Sequence, residues 1–254
     1  MSESPELGRL FGTVADLYDE VRPDYPDELY DVLEATVGPV AGKDVLDLAA
    51  GTGLQTRALA GRGARVVAAD PDLAMLRRLR TQVPEIPSVA AYGEQLPLRD
   101  AVADLVVCGT AWHWLLPGDA VSEIRRVLRP HGYLALSWVL NAWADGIEWE
   151  DRQSAIFERW DRVGGDQPAP RGIAPRDAAA DLEARGIDVV LNQEFNWSRE
   201  VTLEQHLRTL GTHSSNLVRP EDDRRAMLAE IEKALQPWLV VTERLWGPLI
   251  VARF

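Results

Sequence analysis

The sequence predicts an α/β fold, a mostly parallel sheet with helices on both faces, and three observations carry that expectation. Between residues 44 and 139, short apolar runs alternate with runs of helical period. The first apolar run, "DVLDLA", leads directly into Gly51-Thr52-Gly53, where two glycines suit a tight turn over which something approaches the backbone closely. The second, "RVVAAD", ends in Asp70, which right-handed crossovers place beside that turn at the carboxyl edge of the sheet, where ligands of such folds bind.

Taken in order, residues 44–49 read as a strand and 54–63 as a helix stopped by glycines. Residues 65–70 are the second strand, and "PDLAMLRRLRTQ" (71–82) is a helix with Leu73, Leu76 and Leu79 as its apolar residues. "SVAAY" (88–92) and "ADLVVCGT" (103–110) are two more strands. "GDAVSEIRRVL" (118–128) is a helix with Val121, Ile124 and Leu128 on one stripe, and "YLALSWVL" (133–140) is a further strand. Beyond it, residues 141–163 carry Trp143, Trp149, Phe157 and Trp160, some at helical spacing, and read as a helical cap. The Gly- and Pro-rich stretch 164–175 reads as a loop or hinge. "IDVVLNQEFNWS" (187–198) and "PLIVARF" (248–254) form a terminal hairpin interrupted by helical segments at 202–215 and 225–235.

At 254 residues the chain can bury a substantial core. Its 27 Lys and Arg against 40 Asp and Glu give −13, a field that repels phosphate backbones and anionic membranes, so neither nucleic acid nor a membrane is an expected partner. Cys108 is the only cysteine, which excludes an intrachain disulfide and a cysteine zinc cluster. No metal site is expected. The N-terminus lacks a basic start followed by an apolar core, and no run approaches about 18 apolar residues, so a cytoplasmic protein is expected.

The glycine turn and Asp70 converge on one nucleoside: the turn permits close backbone approach with N–H groups aimed at a ligand, and the carboxylate can accept both ribose hydroxyls. Asp70 can equally cap the helix that follows it. A dinucleotide fingerprint requires a third glycine, where this sequence has Thr56, so a nicotinamide cofactor is the weaker reading.

"VLDLAAGTG", "VVAADPDLAML", "GEQLPL" and "RRVLRPHGYLAL" occur in that order, and the series resembles the motifs of class I S-adenosylmethionine-dependent methyltransferases. "VADLYDEVRPDYP" (14–26) and "GTAWHWL" (109–115) resemble the small-molecule subfamily that includes trans-aconitate methyltransferase-like proteins, which extends the likeness to nearly the whole chain. The resemblance implies a Rossmann-like, seven-stranded sheet with the last strand antiparallel, S-adenosylmethionine as cofactor and S-adenosylhomocysteine as product. It implies one domain over 1–254, with N-terminal lid helices (1–43), a cofactor-binding core (44–140), a helical cap insertion (141–186) and C-terminal strands with a helical insertion (187–254).

By the same resemblance, Ala49, Gly51 and Gly53 pass beneath the methionine part of the cofactor, Asp70 and Pro71 lie at the ribose, and Met75 packs by the adenine. Gly93 and Glu94 border the adenine edge, Thr110 completes the set, and Tyr18 and Arg22 fold over the cofactor with Arg22 near its carboxylate. Tyr92 stands where the family commonly has an Asp, and Ala50 where it often has a Cys.

Methyl transfer needs an aligned acceptor and a dry site, with no metal or covalent nucleophile; a base is required only for a protonated acceptor. The acceptor, a small molecule and conceivably a carboxylate, is expected beyond the fourth strand, where Trp112, His113 and Trp114 cluster. His113, with an ordinary pKa of about 6.5, is the candidate catalytic base or a donor to a carboxylate. Trp112, Trp143, His213 and Ser214 are further candidate acceptor contacts. Packing and capping roles stand beside each of these. Two other functions share the same sheet: a nicotinamide-dependent oxidoreductase and a catalytically silent nucleoside-binding regulatory protein.

Overall fold

The computed structural model describes residues 10–144, 146–163 and 173–254, so most of the expected 164–175 loop lies outside the described residues. The alternating runs fold as expected up to the fifth strand. β1 (Asp44–Leu48), β2 (Arg65–Asp70), β3 (Ser88–Ala90), β4 (Ala103–Gly109) and β5 (Leu128–Ser137) are parallel in the order β3-β2-β1-β4-β5. β8 (Val240–Arg253) runs antiparallel beside β5, and β7 (Asp188–Thr202) pairs along the other edge of β8.

One short strand exceeds the expected seven. The fifth strand breaks after Ser137, and β6 (Leu140–Asn141) resumes pairing with β8 in the register that β5 left. The break brings the Trp138 carbonyl so close to Gly247 that a Cβ there would lie 1.8 Å from the oxygen. β5 also opens at Leu128 rather than Tyr133, because Leu128 pairs with Ala103 before a bulge in which His131 takes φ +66°.

Side-chain alternation splits the core between the two faces of the sheet. Leu46, Val106, Leu134 and Leu136 pack under α5 (Pro117–Val127) and α7 (Ala178–Ala184). Val45, Leu105, Val107 and Val251 face the opposite layer, which includes α2 (Asp27–Val37) and Leu59 of α3 (Leu54–Gly61). On α4 (Leu73–Gln82) the buried residues are Met75, Leu76 and Leu79, while Leu73, expected on the apolar face, is 55% exposed at the first helical position.

The cap has a core of its own. α6 (Glu148–Val163), α8 (Leu203–Leu210) and α10 (Glu221–Leu235) bury Trp149, Ile156, Leu210, Met227 and Ile231 together. The expected helix over 141–163 therefore starts only at Glu148. A short α9 (Ser214–Leu217) follows α8.

The N-terminal segment is strapped across the carboxyl edge of the sheet. In α1 (Ala15–Val21), buried Asp19 accepts from Arg57 of α3 at 2.9 Å and from Arg78 of α4 at 2.8 Å. Glu20 pairs with Arg208 of α8, and ahead of α1 the Gly12 N–H donates to Asp72.

Gly247→Ala should lower stability by about 1–3 kcal/mol or more, since the obstacle is backbone rather than a yielding side chain. Gly186→Ala, with φ +74° but open space around it, should cost only about 1 kcal/mol. Urea melts of the two variants check the order, and equal losses would mean that strand β8 can shift away from Trp138.

Candidate functional site

The two glycines of the first turn do different work. Gly51 has φ +56° and a Cβ there would meet nothing within 4 Å, because it borders an open cavity. Gly53 has φ +90° and its Cβ would strike Leu79 Cγ at 2.9 Å, so it serves helix packing. The N–H groups expected to face a ligand are committed within the fold: Gly51 N–H donates to Asp70 Oδ2 at 2.8 Å and Gly53 N–H to the Ala50 carbonyl at 2.9 Å.

Asp70 is thereby the pin between the ends of β1 and β2. Its Oδ1 accepts from the Asp72 N–H at 2.8 Å, and burial raises its pKa to about 6. It is not the helix cap; Asp72 caps α4 by accepting from the N–H groups of Ala74 and Met75. Asp47, near the end of β1, is also buried, accepts from Thr56 Oγ1 at 2.5 Å, and is pushed up to about 7 by desolvation.

Two cavities lie over this edge. The smaller, about 50 Å³, is lined by Tyr18, Arg22, Asp47, Gly51, Gln55 and Thr110 among others, with Ala49 in its wall. The larger, about 190 Å³, is lined by His113, Asn141, Thr209, His213, Ser214 and Glu243 among others. They share Arg22, Pro23, Thr110 and Val139. Thr110, held at φ +52°, hydrogen-bonds the Tyr25 hydroxyl at 2.9 Å and accepts from the Val139 N–H at 3.1 Å, which fixes the partition between them. Arg22 donates through Nη2 to the Thr212 carbonyl at 2.9 Å and lies over the Tyr18 ring, leaving its buried Nε without a partner.

In the larger cavity, Trp138 Nε1 donates to His113 Nδ1 at 3.4 Å, so a neutral imidazole carries its proton on Nε2. Burial lowers the His113 pKa to about 4. In that neutral ring Nε2–H is the group His113 can donate at neutral pH. Glu243 has its oxygens engaged by Arg199 Nε at 2.6 Å and by His206 Nδ1 at 2.7 Å. His206 Nε2 in turn lies 2.7 Å from Gln153 Oε1 of the cap. The His213 pKa falls well below its ordinary value through burial, and then through the positive field of Arg22, His206 and Arg199.

Several expected contacts line neither cavity. Trp112 is fully buried in the core with Ala120 and Ile124, which makes it packing. Trp143 is 45% exposed and edge-on to Trp149. Gly93 is buried where a Cβ would strike Leu115 Cδ2 at 2.4 Å, and Glu94 accepts from the Leu116 N–H at 2.7 Å; both brace the turn that follows the short 3-10 helix Trp112–Trp114. Asp70, half-buried Pro71 and buried Met75 are not among the residues that line the smaller cavity. Conversely, Tyr25, Asp47, Gln55, Asn141, Thr209 and Glu243 line the cavities without having been singled out. Among the described residues, no group of three or more His, Cys, Asp or Glu is placed to hold a metal.

Residues 46–136 match a family described as Methyltransferase domain. An uncharacterized methyltransferase of Mycobacterium tuberculosis (strain ATCC 25618 / H37Rv) is 32% identical over 230 residues, 91% of this chain and 87% of that protein. A malonyl-[acyl-carrier protein] O-methyltransferase of Pseudescherichia vulneris is 36% identical over 128 residues, covering 50% of this chain and 51% of its own. Among solved structures, a SAM-dependent methyltransferase from Aquifex aeolicus aligns with TM-score 0.52 at 20% identity, over 70% of this chain and 89% of that one.

Asp47 makes the fold pH-sensitive. With its folded pKa raised to about 7, the native state binds a proton that the unfolded chain releases near pH 4, so stability falls as pH rises between those values and levels off above 7. Asp47→Asn, which keeps an acceptor for Thr56, should be more stable than wild type at pH 8 by about 1–4 kcal/mol and equal to it near pH 4. Urea melts at both pH values read this; a difference that does not change with pH would rule the effect out.

Proposed function

The chain belongs to the class I S-adenosylmethionine-dependent methyltransferases, and on that premise we propose that it methylates a small carboxylate-bearing acceptor held in the larger cavity. The observation that carries this reading is the donor-rich lining of that cavity around Arg22. His113 presents Nε2–H, Ser214 and Ser215 present hydroxyls, and the one lining carboxylate, Glu243, is already taken by Arg199 and His206. An anion is the ligand such a lining stabilises. The malonyl-[acyl-carrier protein] O-methyltransferase is one relative whose name also describes methylation at oxygen.

Residues present fit the cofactor. Gly51 leaves space that a Cβ would fill, and Arg22 Nε, Thr52 Oγ1 and Gln55 Oε1 are buried without partners around the smaller cavity. Asp70 retains lone pairs on both oxygens for ribose hydroxyls. When bound, the cofactor supplies a sulfonium methyl that an acceptor oxygen can take with its own electron pair, leaving a neutral thioether. A carboxylate acceptor brings no proton to remove, which agrees with a histidine that is neutral and donating. The work of the protein is then orientation: Thr110 and Val139 separate donor from acceptor, Arg22 reaches both, and α1 closes the edge against water.

Calorimetry should show S-adenosylmethionine and S-adenosylhomocysteine binding at least tenfold more tightly than NAD. Gly51→Ala should weaken both at least tenfold while costing only about 1 kcal/mol of stability. Unchanged affinity in that variant would remove the turn from the site. With labelled cofactor and a panel of small acids paired with their amides and alcohols, the acids alone should accept methyl. His113→Ala should raise the acceptor KM more than it lowers kcat, and the wild-type profile should lack a limb near pH 6.5. A limb there that the substitution abolishes would restore His113 as a base.

A further inference from the structure

Among the described residues, seven buried side-chain polar atoms have no hydrogen-bond partner, and three of them, Arg22 Nε, Thr52 Oγ1 and Gln55 Oε1, belong to residues lining the smaller cavity. Buried polar atoms are as a rule hydrogen-bonded, so three unpaired ones around one cavity call for a ligand group that completes them.

The chemistry of the orphans is complementary. Arg22 Nε is a cationic donor that an anion satisfies. Gln55 is the opposite case: its Nε2 donates to Ser137 Oγ at 2.5 Å, which turns the amide so that Oε1 is the free atom, an acceptor with nothing to accept. Gln55 is held rigidly, being 6% exposed and packed so that a Cβ on Gly109 would lie 2.9 Å from its Cδ. A group with one negative and one positive end, an α-amino acid, fits both walls at once.

We propose that Gln55, oriented by Ser137, is the acceptor for the α-ammonium of the cofactor's amino-acid end, opposite Arg22 on its carboxylate. This rests on the methyl-donor reading above. It makes Gln55 a specificity-determining residue, selecting the intact amino acid over analogues that lack the amino group. It also assigns Ser137 a positioning role through the amide orientation.

The test is a binding cycle by calorimetry, with S-adenosylhomocysteine and its deamino analogue, in which hydrogen replaces the amino group, titrated into wild type, Gln55→Leu and Gln55→Glu. Wild type should bind the deamino analogue about tenfold more weakly than the product. Gln55→Leu should lose about tenfold for the product and less than twofold for the deamino analogue, because the partner is already missing. Gln55→Glu, which keeps an acceptor, should retain product binding within about threefold. Equal losses for both ligands in Gln55→Leu, or none, would overturn the assignment, and so would loss of product binding in Gln55→Glu with an unchanged melting temperature. If wild type binds neither ligand, it is the methyl-donor reading that fails, and this inference with it.

Discussion

The hydrogen bond from the Gly51 N–H to Asp70 Oδ2 is the constraint on which the site depends. It ties the turn after β1 to the end of β2, across two adjacent parallel strands, and the same carboxylate holds the start of the loop into α4 through Asp72. Asp72 then caps α4 and accepts from Gly12, so one chain of short contacts runs from the sheet to the N-terminal segment that covers it. Because Asp70 is buried, losing either N–H partner would leave a desolvated acid, and the cost of that falls on the loop geometry rather than on one contact.

The closing segment is held by charges that are not part of the chemistry. Asp19 is buried between Arg57 and Arg78, two arginines from different helices, while Glu20 and Arg208 form an exposed pair that water screens. The stronger anchor is therefore at α3 and α4, and the weaker at α8 of the cap. Arg22, one residue beyond α1, inherits that placement: its Nη2 is pinned to the Thr212 carbonyl while its Nε remains for a ligand.

Much of this was legible in the sequence because period and turn chemistry are local. The β1 turn, the acid at its neighbour's end, and the alternation of strands and helices all follow from residues within a few positions of one another. What was not legible is non-local. Asp70 can cap the following helix on paper, and only the position of Gly51 across the sheet shows that it is engaged there while Asp72 makes the cap. His113 reads equally as a base or as a donor to a carboxylate; burial, which lowers its pKa, and the indole of Trp138, which places its proton on Nε2, are not visible in the sequence. Trp112 and Trp143 read as acceptor contacts by proximity to His113 and the cap, yet one fills the core and the other faces solvent. Gln55 carried no signal beyond its place after the glycine turn, since its meaning comes from Ser137 at the end of β5.

The net charge of −13 belongs to the whole surface, and the larger cavity has a local character of its own. Net charge acts at long range, where solvent and salt weaken it. Inside the cavity the neighbours are few and close: Arg22 in the lining, Arg199 and His206 behind Glu243, and a His213 ring whose pKa is lowered by burial first and by the surrounding positive field second. Glu243 joins Arg199 to His206, accepting from Arg199 Nε at 2.6 Å and lying 2.7 Å from His206 Nδ1, so the Arg199 charge is not left without a partner. Its commitment to Arg199 and His206 leaves Arg22 as the cation whose Nε has no partner. Arg22 lines both cavities, so whichever anion lies against its Nε removes a buried unpaired donor from the wall they share.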